Sequence, residues 1–188
     1  GVFDGKGHTI YGYQNPVYEN QADYEAAGNL AYDGTRLFTA FFTNLNGGTV
    51  KNLTFAEYTI SDSPVSNLTK DATKENGVVN PDHIYVSVAF GMLQNGATVD
   101  NVKVEDGTVN SKVRAAGLAA YVKNSTGDTS VNTIKGSVNK AVVSTERMTD
   151  TYGTAAGILS TTGCGYFVIE GCSNEGIITG YVAGGIVG

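Results

Sequence analysis

Tryptophan is absent from the 188 residues, and proline (3), cysteine (2), methionine (2) and histidine (2) are nearly so. Each shortage removes a class of protein. Three prolines, with glycine at no regular third position, exclude a collagen triple helix. Two cysteines define no disulfide scaffold, and without histidines beside them they supply no structural zinc site. Charge is scarce too: Asp, Glu, Lys and Arg are 16% of the chain, against roughly 25% in an average domain. Twelve basic residues, a net charge of −6 and a pI near 4.8 argue against a protein that tracks nucleic-acid phosphates. No run approaches the ~18 apolar residues of a membrane span. The longest apolar stretches, Ala115–Val122 and Tyr181–Val187, are short and broken by glycine. The opening residues have neither the basic leader nor the apolar block of a signal peptide, and a leader removed upstream is compatible with a chain that starts on a motif.

Glycine is the residue in excess: 25 of 188, about 13% against the usual ~7%. Gly, Thr, Asn and Val together depress helix propensity along most of the chain. Tyr, Phe, Val and Ile are too plentiful for disorder, and a hydrophobic fraction of 41% is enough to build a core. An all-β protein with many tight turns is what remains.

The chain repeats. Ala40-Phe41-Phe42 through Asn52-Leu53 aligns without a gap on Ala89-Phe90-Gly91 through Asn101-Val102, sharing Ala, Phe, the Gly of an Asn-Gly pair, Thr, Val and a second Asn. Looser copies follow at Thr133–Val138 and Val168–Ser173. Equating Val50, Val99, Ile134 and Ile169 gives steps of 49, 35 and 35 residues. The first step is longer because it holds a polar insert at about 61–84. A small-residue segment precedes each later copy: Ala115-Ala116-Gly117, Ala155-Ala156-Gly157 and Ala183-Gly184-Gly185. Tiny side chains there let one unit's backbone lie close to the next. The alignment predicts short strands and Gly or Asn corners, stacked as a solenoid in which each turn buries its apolar face on its neighbours. The expected domain is a single one over 1–188, cut within a repeat at its C-terminal end.

Two segments carry a family resemblance. Phe3-Asp4-Gly5-Lys6-Gly7-His8-Thr9-Ile10 is similar to the FDGxGHTI opening of many right-handed parallel β-helix proteins. Gly48-Thr49-Val50-Lys51-Asn52-Leu53 and Ala183-Gly184-Gly185-Ile186-Val187-Gly188 resemble the GLUG-type repeat of bacterial cell-surface proteins, found also beside the catalytic domain of IgA-cleaving metallopeptidases. The resemblance implies a right-handed parallel β-helix with an N-terminal aromatic-rich insert, on a secreted or surface-exposed bacterial protein. It carries over no catalytic residues: the His-Glu-x-x-His motif of those peptidases is missing.

Individual residues invite functional readings that must be weighed against plainer ones. His8 lies in a glycine-rich turn without a second His or Cys, which favours a turn role over a metal or triad role. Asp4 of the Asp-Gly pair fits an Asx-turn. Lys51, Asp100, Lys135 and Glu170 occupy equivalent positions and predict a surface ladder of alternating charge, unlike the paired acids of a polysaccharide-cleaving site. Asn52, Asn101, Gly136 and Gly171 share tolerance of the left-handed region and read as corner residues. The sequons at Asn52, Asn67 and Asn124 are taken as chance in an Asn/Thr-rich chain. Cys172 aligns with Leu53, Val102 and Ser137 and points inward; whether it bridges to Cys164 stays open.

The most informative stretch for binding is the first insert, at about 14–36, with Tyr18, Tyr24 and Tyr32 among Glu19, Asp23, Glu25 and Asp33. Tyr rings facing a glycan, with Glu19 and Asp23 accepting hydroxyl hydrogen bonds, would make a sugar platform. The alternative is an end cap over exposed strand edges and core, preferred because solenoids need capping whatever they bind. The second insert, with Asp62, Asp71, Glu75 and Asp82, lacks the EF-hand pattern and reads as a solvated excursion.

The function expected is therefore a non-enzymatic, surface-exposed repeat module, a spacer or adhesin-like domain, with glycans or host and neighbouring surface proteins as partners. It uses no cofactor, binds no nucleic acid and inserts in no membrane. A polysaccharide lyase or glycosidase, or an accessory domain of a surface peptidase, is the alternative.

Overall fold

The computed structural model describes residues 1–14, 36–60, 83–150 and 152–188. Val, Ile, Thr and aromatic residues favour extended backbone, and Gly and Asn punctuate them every few residues. The result among the described residues is short strands with no α-helix. In chain order, β1 (Val2–Asp4) and β2 (Thr9–Tyr11) belong to a first sheet, β3 (Leu37–Thr39) to a third and β4 (Phe42–Asn46) to a fourth. The next circuit supplies all four sheets in order: β5 (Thr49–Ala56), β6 (Tyr58–Ile60), β7 (Ile84–Ser87) and β8 (Phe90–Gln94). The third repeats the order with β9 (Thr98–Val104), β10 (Gly107–Ser111), β11 (Arg114–Ala116) and β12 (Ala119–Val122). The fourth has β13 (Val131–Lys135) with β14 (Val138–Asn139), then β15 (Val142–Thr145), β16 (Thr154–Ala156) and β17 (Leu159–Thr162). The last has β18 (Tyr166–Glu170) with β19 (Ser173–Asn174), β20 (Ile178–Thr179) and β21 (Val182–Gly184).

Every strand pairing among these is parallel, each strand bonding the equivalent strand one circuit away. The described residues are thus all-β, forming four stacked parallel sheets around one interior.

The register matches the sequence repeat in the first sheet but corrects the ungapped alignment in the fourth: Phe42, not Phe41, pairs with Phe90, because the Gly47-Gly48 corner is one residue shorter than Asn95-Gly96-Ala97. Phe3, Val50, Val99, Ile134 and Ile169 are successive partners in one column of the first sheet. Ile60, Val109, Val143 and Ile178 form a second column, and Val86, Ala115, Ala155 and Ala183 a third. Val50, Val99, Ile134, Ile60, Val109, Val143, Val86, Ala115 and Ala155 are buried in the main core. Ile169, Cys172, Ile178 and Ile186 of the last circuit are partly buried against it.

One column changes chemistry along the stack. Ile10 and Phe55 pair, Phe55 pairs Val104, and Val104 is followed by Asn139 and Asn174. Asn139 is fully buried, so its amide must be satisfied. Its Nδ2 donates to Asn174 Oδ1 at 2.7 Å and to Ala141 O at 3.2 Å, and its Oδ1 accepts from Ala141 N. Gly117 and Gly157 lie against these amides: a Cβ on Gly117 would overlap Asn139, and one on Gly157 would overlap Asn174 and the Gly185 carbonyl. The small-residue segments therefore do bring backbones together as expected, and they also make room for a buried amide ladder.

Of the aromatic residues flanking the first insert, Tyr13 and Phe42 pack partly buried against the core. Tyr13 contacts Phe41 and Tyr58 with ring centroids 5.5 and 5.6 Å apart, and Phe42 stacks on Phe90 at 5.5 Å.

Candidate functional site

The outer face of the first sheet carries the ladders read from the sequence. Asp4, Lys51, Asp100, Lys135 and Glu170 are consecutive partners. Lys51 lies 3.5 Å from Asp4 and Lys135 3.3 Å from Asp100. These exposed pairs are screened by solvent and contribute little individually. Beside them Asn101 Nδ2 donates to Asn52 Oδ1 at 3.0 Å, and Asn52 Nδ2 to Asp4 Oδ1 at 3.1 Å. Asn52, Asn101, Gly136 and Gly171 all take positive φ, between 52° and 60°, as their corner role requires. Asp4 accepts the Lys6 amide at 2.9 Å, closing an Asx-turn. His8 is exposed, and its N–H bonds Gly5 O in the same turn. The edge is a structural one.

Tyr18, Glu19, Asp23, Tyr24 and Tyr32, the candidate sugar platform, lie outside the described residues, as do Asp62, Asp71, Glu75 and Asp82 of the second insert. Among the described residues no group of three or more His, Cys, Asp or Glu is placed to hold a metal ion, and no helix is long and apolar enough to cross a membrane. Both cysteines are free thiols: Cys164 is exposed, and Cys172 is half-buried against the core. Burial pushes the Cys172 thiol up.

On the outer face of the third sheet, Arg114 is sandwiched between the rings of Tyr85 and Tyr152, its guanidinium 4.9 Å from each centroid. Arg147 lies over the other part of this cluster, 5.2 Å from the Tyr152 ring and 2.8 Å from Asp150. Burial pushes the Asp150 carboxyl up, but the Tyr152 amide and the Arg147 guanidinium outweigh it and hold the group below the ordinary Asp value. Arg114 is 7% exposed. The cluster is a cation–π stack that holds Arg147 and Tyr152 against the sheet.

An open cavity lies at the corner between the fourth and first sheets. Here β8 reaches β9 through Asn95-Gly96-Ala97, and β17 reaches β18 through Gly163-Cys164-Gly165. Between these short corners, β12 reaches β13 through the longer segment Lys123–Ser130. The extra length forms a shelf. Asp128 N bonds Ser125 O at 3.0 Å, Gly127 takes φ 82°, and Ser130 N bonds Asp128 Oδ1 at 2.7 Å. Below it, Asn95 N bonds Asn124 Oδ1 at 3.0 Å, and Ser125 N bonds Asn95 Oδ1 at 2.8 Å. Above it, Asn124 N bonds Cys164 O at 2.7 Å.

Asn124 is the keystone. It is 3% exposed, and its Nδ2 donates to Ser130 O at 2.6 Å and Asp128 O at 3.3 Å. Its Oδ1 also accepts from Asn132 Nδ2 at 2.6 Å. Asn132, fully buried, uses its own Oδ1 for Ala97 N and its Nδ2 for Tyr166 O. The two amides thus tie three successive circuits together. The Asn124 sequon is a structural residue whose side-chain nitrogen is committed inward.

Between this shelf and the next corner is a cavity of about 480 Å³, lined by residues 123–128 and 164–166. Tyr166 is 58% exposed at its rim. No part of the sequence pattern pointed to it, because 123–130 has no counterpart in the other repeats. The signal that would have found it is the length difference between equivalent corners. No family model matches the chain, and no curated protein or solved structure matches it either.

Proposed function

We propose that the chain is a right-handed parallel β-helix acting as a non-enzymatic repeat module, a spacer or adhesin-like domain displayed by a secreted or cell-surface bacterial protein, with glycans or host surface proteins as its partners. The observation that carries the reading is the phase agreement between the 49-, 35- and 35-residue sequence steps and the column Val50, Val99, Ile134, Ile169. A chain that returns to the same sheet in register on every circuit has the architecture of a solenoid. Crossovers between parallel strands of one sheet are right-handed in about 98% of cases, which favours the right hand. The likeness of Phe3–Ile10 to the FDGxGHTI opening of β-helix proteins, and of Gly184–Gly188 to GLUG-type surface repeats, supports the same setting.

A display role also suits the chemistry. In the alternating ladder, Asp4 pairs with Lys51 and Asp100 with Lys135, whereas glycoside cleavage needs two acids facing one bond across roughly 5–9.5 Å. The test is to screen the purified chain against glycan and host-protein arrays while assaying pectin, polyuronates and host glycans for new chain ends. Binding without cleavage is expected. Catalytic release of fragments would overturn the non-enzymatic reading, and silence on every array would overturn the binding part.

A further inference from the structure

We infer that the cavity between the Lys123–Asp128 shelf and the Cys164–Tyr166 corner is a binding site for a neutral sugar unit of a glycan, an assignment that rests on the proposed binding role. Its size suits a small ligand: about 480 Å³, within the roughly 300–1,000 Å³ of small-molecule sites. Its wall is preorganised. Asn124, 3% exposed, and Asn132, fully buried, hold the shelf through amides whose bonds are all internal, so filling the cavity does not require the loop to order first.

The lining chemistry selects the ligand. Tyr166 presents an exposed ring, an amphipathic platform for the apolar face of a pyranose. Ser125 and Thr126 add hydroxyls, and Asp128 adds a carboxylate that accepts hydrogen bonds from ligand hydroxyls. Lys123 brings one positive charge against the one negative charge of Asp128, so the lining is formally neutral. A phosphate or uronate would meet Asp128 as a like charge and Lys123 as an opposite one, gaining no net attraction, whereas a neutral polyol needs only the donors and acceptors present. Asp128 is the single carboxylate of the lining, which fits retention of the sugar without cleavage.

Cys164 supplies a reporter, because its exposed thiol lines the same cavity. The experiment compares wild type, Tyr166→Phe, Tyr166→Ala and Asp128→Asn on an array of neutral, sialylated and sulfated oligosaccharides, then measures iodoacetamide alkylation of Cys164 with and without the best neutral hit. Circular dichroism of each variant confirms that it is folded. The expected result is neutral-glycan binding that survives Tyr166→Phe, falls about tenfold in Tyr166→Ala and Asp128→Asn, and slows Cys164 alkylation. Glycan binding unchanged in both weakened variants, with Cys164 unprotected, would overturn this site and leave the binding role standing. Binding confined to acidic glycans would overturn the neutral-sugar assignment. No binding to any glycan would remove the site together with the glycan part of the proposed function.

Discussion

Asp4 shows how much one carboxylate at a circuit edge is asked to do. It accepts the Lys6 amide, then the Asn52 side chain, and lies beside Lys51; these hold its carboxyl below the ordinary Asp value against a smaller opposing desolvation. A carboxylate whose folded pKa is depressed adds stability above its unfolded pKa, and that contribution is lost as pH falls through the folded value. Removing the Asn52 amide while keeping its left-handed backbone isolates the effect. Asn52→Gly should therefore raise the Asp4 midpoint in a carboxyl ¹³C titration; an unchanged midpoint would show that the Asn52 contact does not matter. Gly136 offers the complementary case. It takes φ 56° at the position equivalent to Asn52 and Asn101, with the nearest atom to an added Cβ, Asn101 N, at 3.9 Å. Space is available, so only backbone strain discriminates. Gly136→Asn should be close to neutral, while Gly136→Val should cost about 1–2 kcal/mol, read from urea midpoints.

At the scale of elements, what was legible in the sequence was what recurs. Val50, Val99, Ile134 and Ile169 could be equated because each is a β-branched residue three positions before an inward filler, with a left-handed corner between, and the strand register bears the alignment out. Cys172 was legible as inward for the same reason, through Leu53, Val102 and Ser137. The buried amides were not. Asn124, Asn132 and Asn139 are polar residues in a chain rich in surface Asn, and only three-dimensional pairing reveals that their hydrogen bonds are closed inside. The cavity was hidden too, since it arises where one corner is longer than those above and below it. The amide ladder makes a direct prediction for β16 and β21. Gly157→Ala drives a methyl into Asn174 and the Gly185 carbonyl, and overpacking of this kind costs roughly 1–3 kcal/mol. A Gly157→Ala protein as stable as wild type in urea would show that the last two circuits are packed less closely than described.

For the molecule as a whole, a scarcity of charge and an excess of glycine share one origin. Few charges are needed where short strands bury one face and the exposed charges pair along a ladder, as Lys51 with Asp4 and Lys135 with Asp100. Glycine is abundant because corners such as Gly136 and Gly171 need positive φ, and because Gly117 and Gly157 leave room for buried amides. Function, in the proposal, lies where this regularity breaks. One described break is the Lys123–Ser130 shelf with its cavity; the Tyr-rich first insert and the polar second insert also interrupt the repeat. All of this depends on the proposed coil. Its most direct test is a crystal structure phased experimentally, which fixes register and hand together. The account predicts Val50, Val99, Ile134 and Ile169 in one inward column, with right-handed crossovers from each circuit to the next. Finding those four side chains on different faces, or a left-handed path, would contradict it.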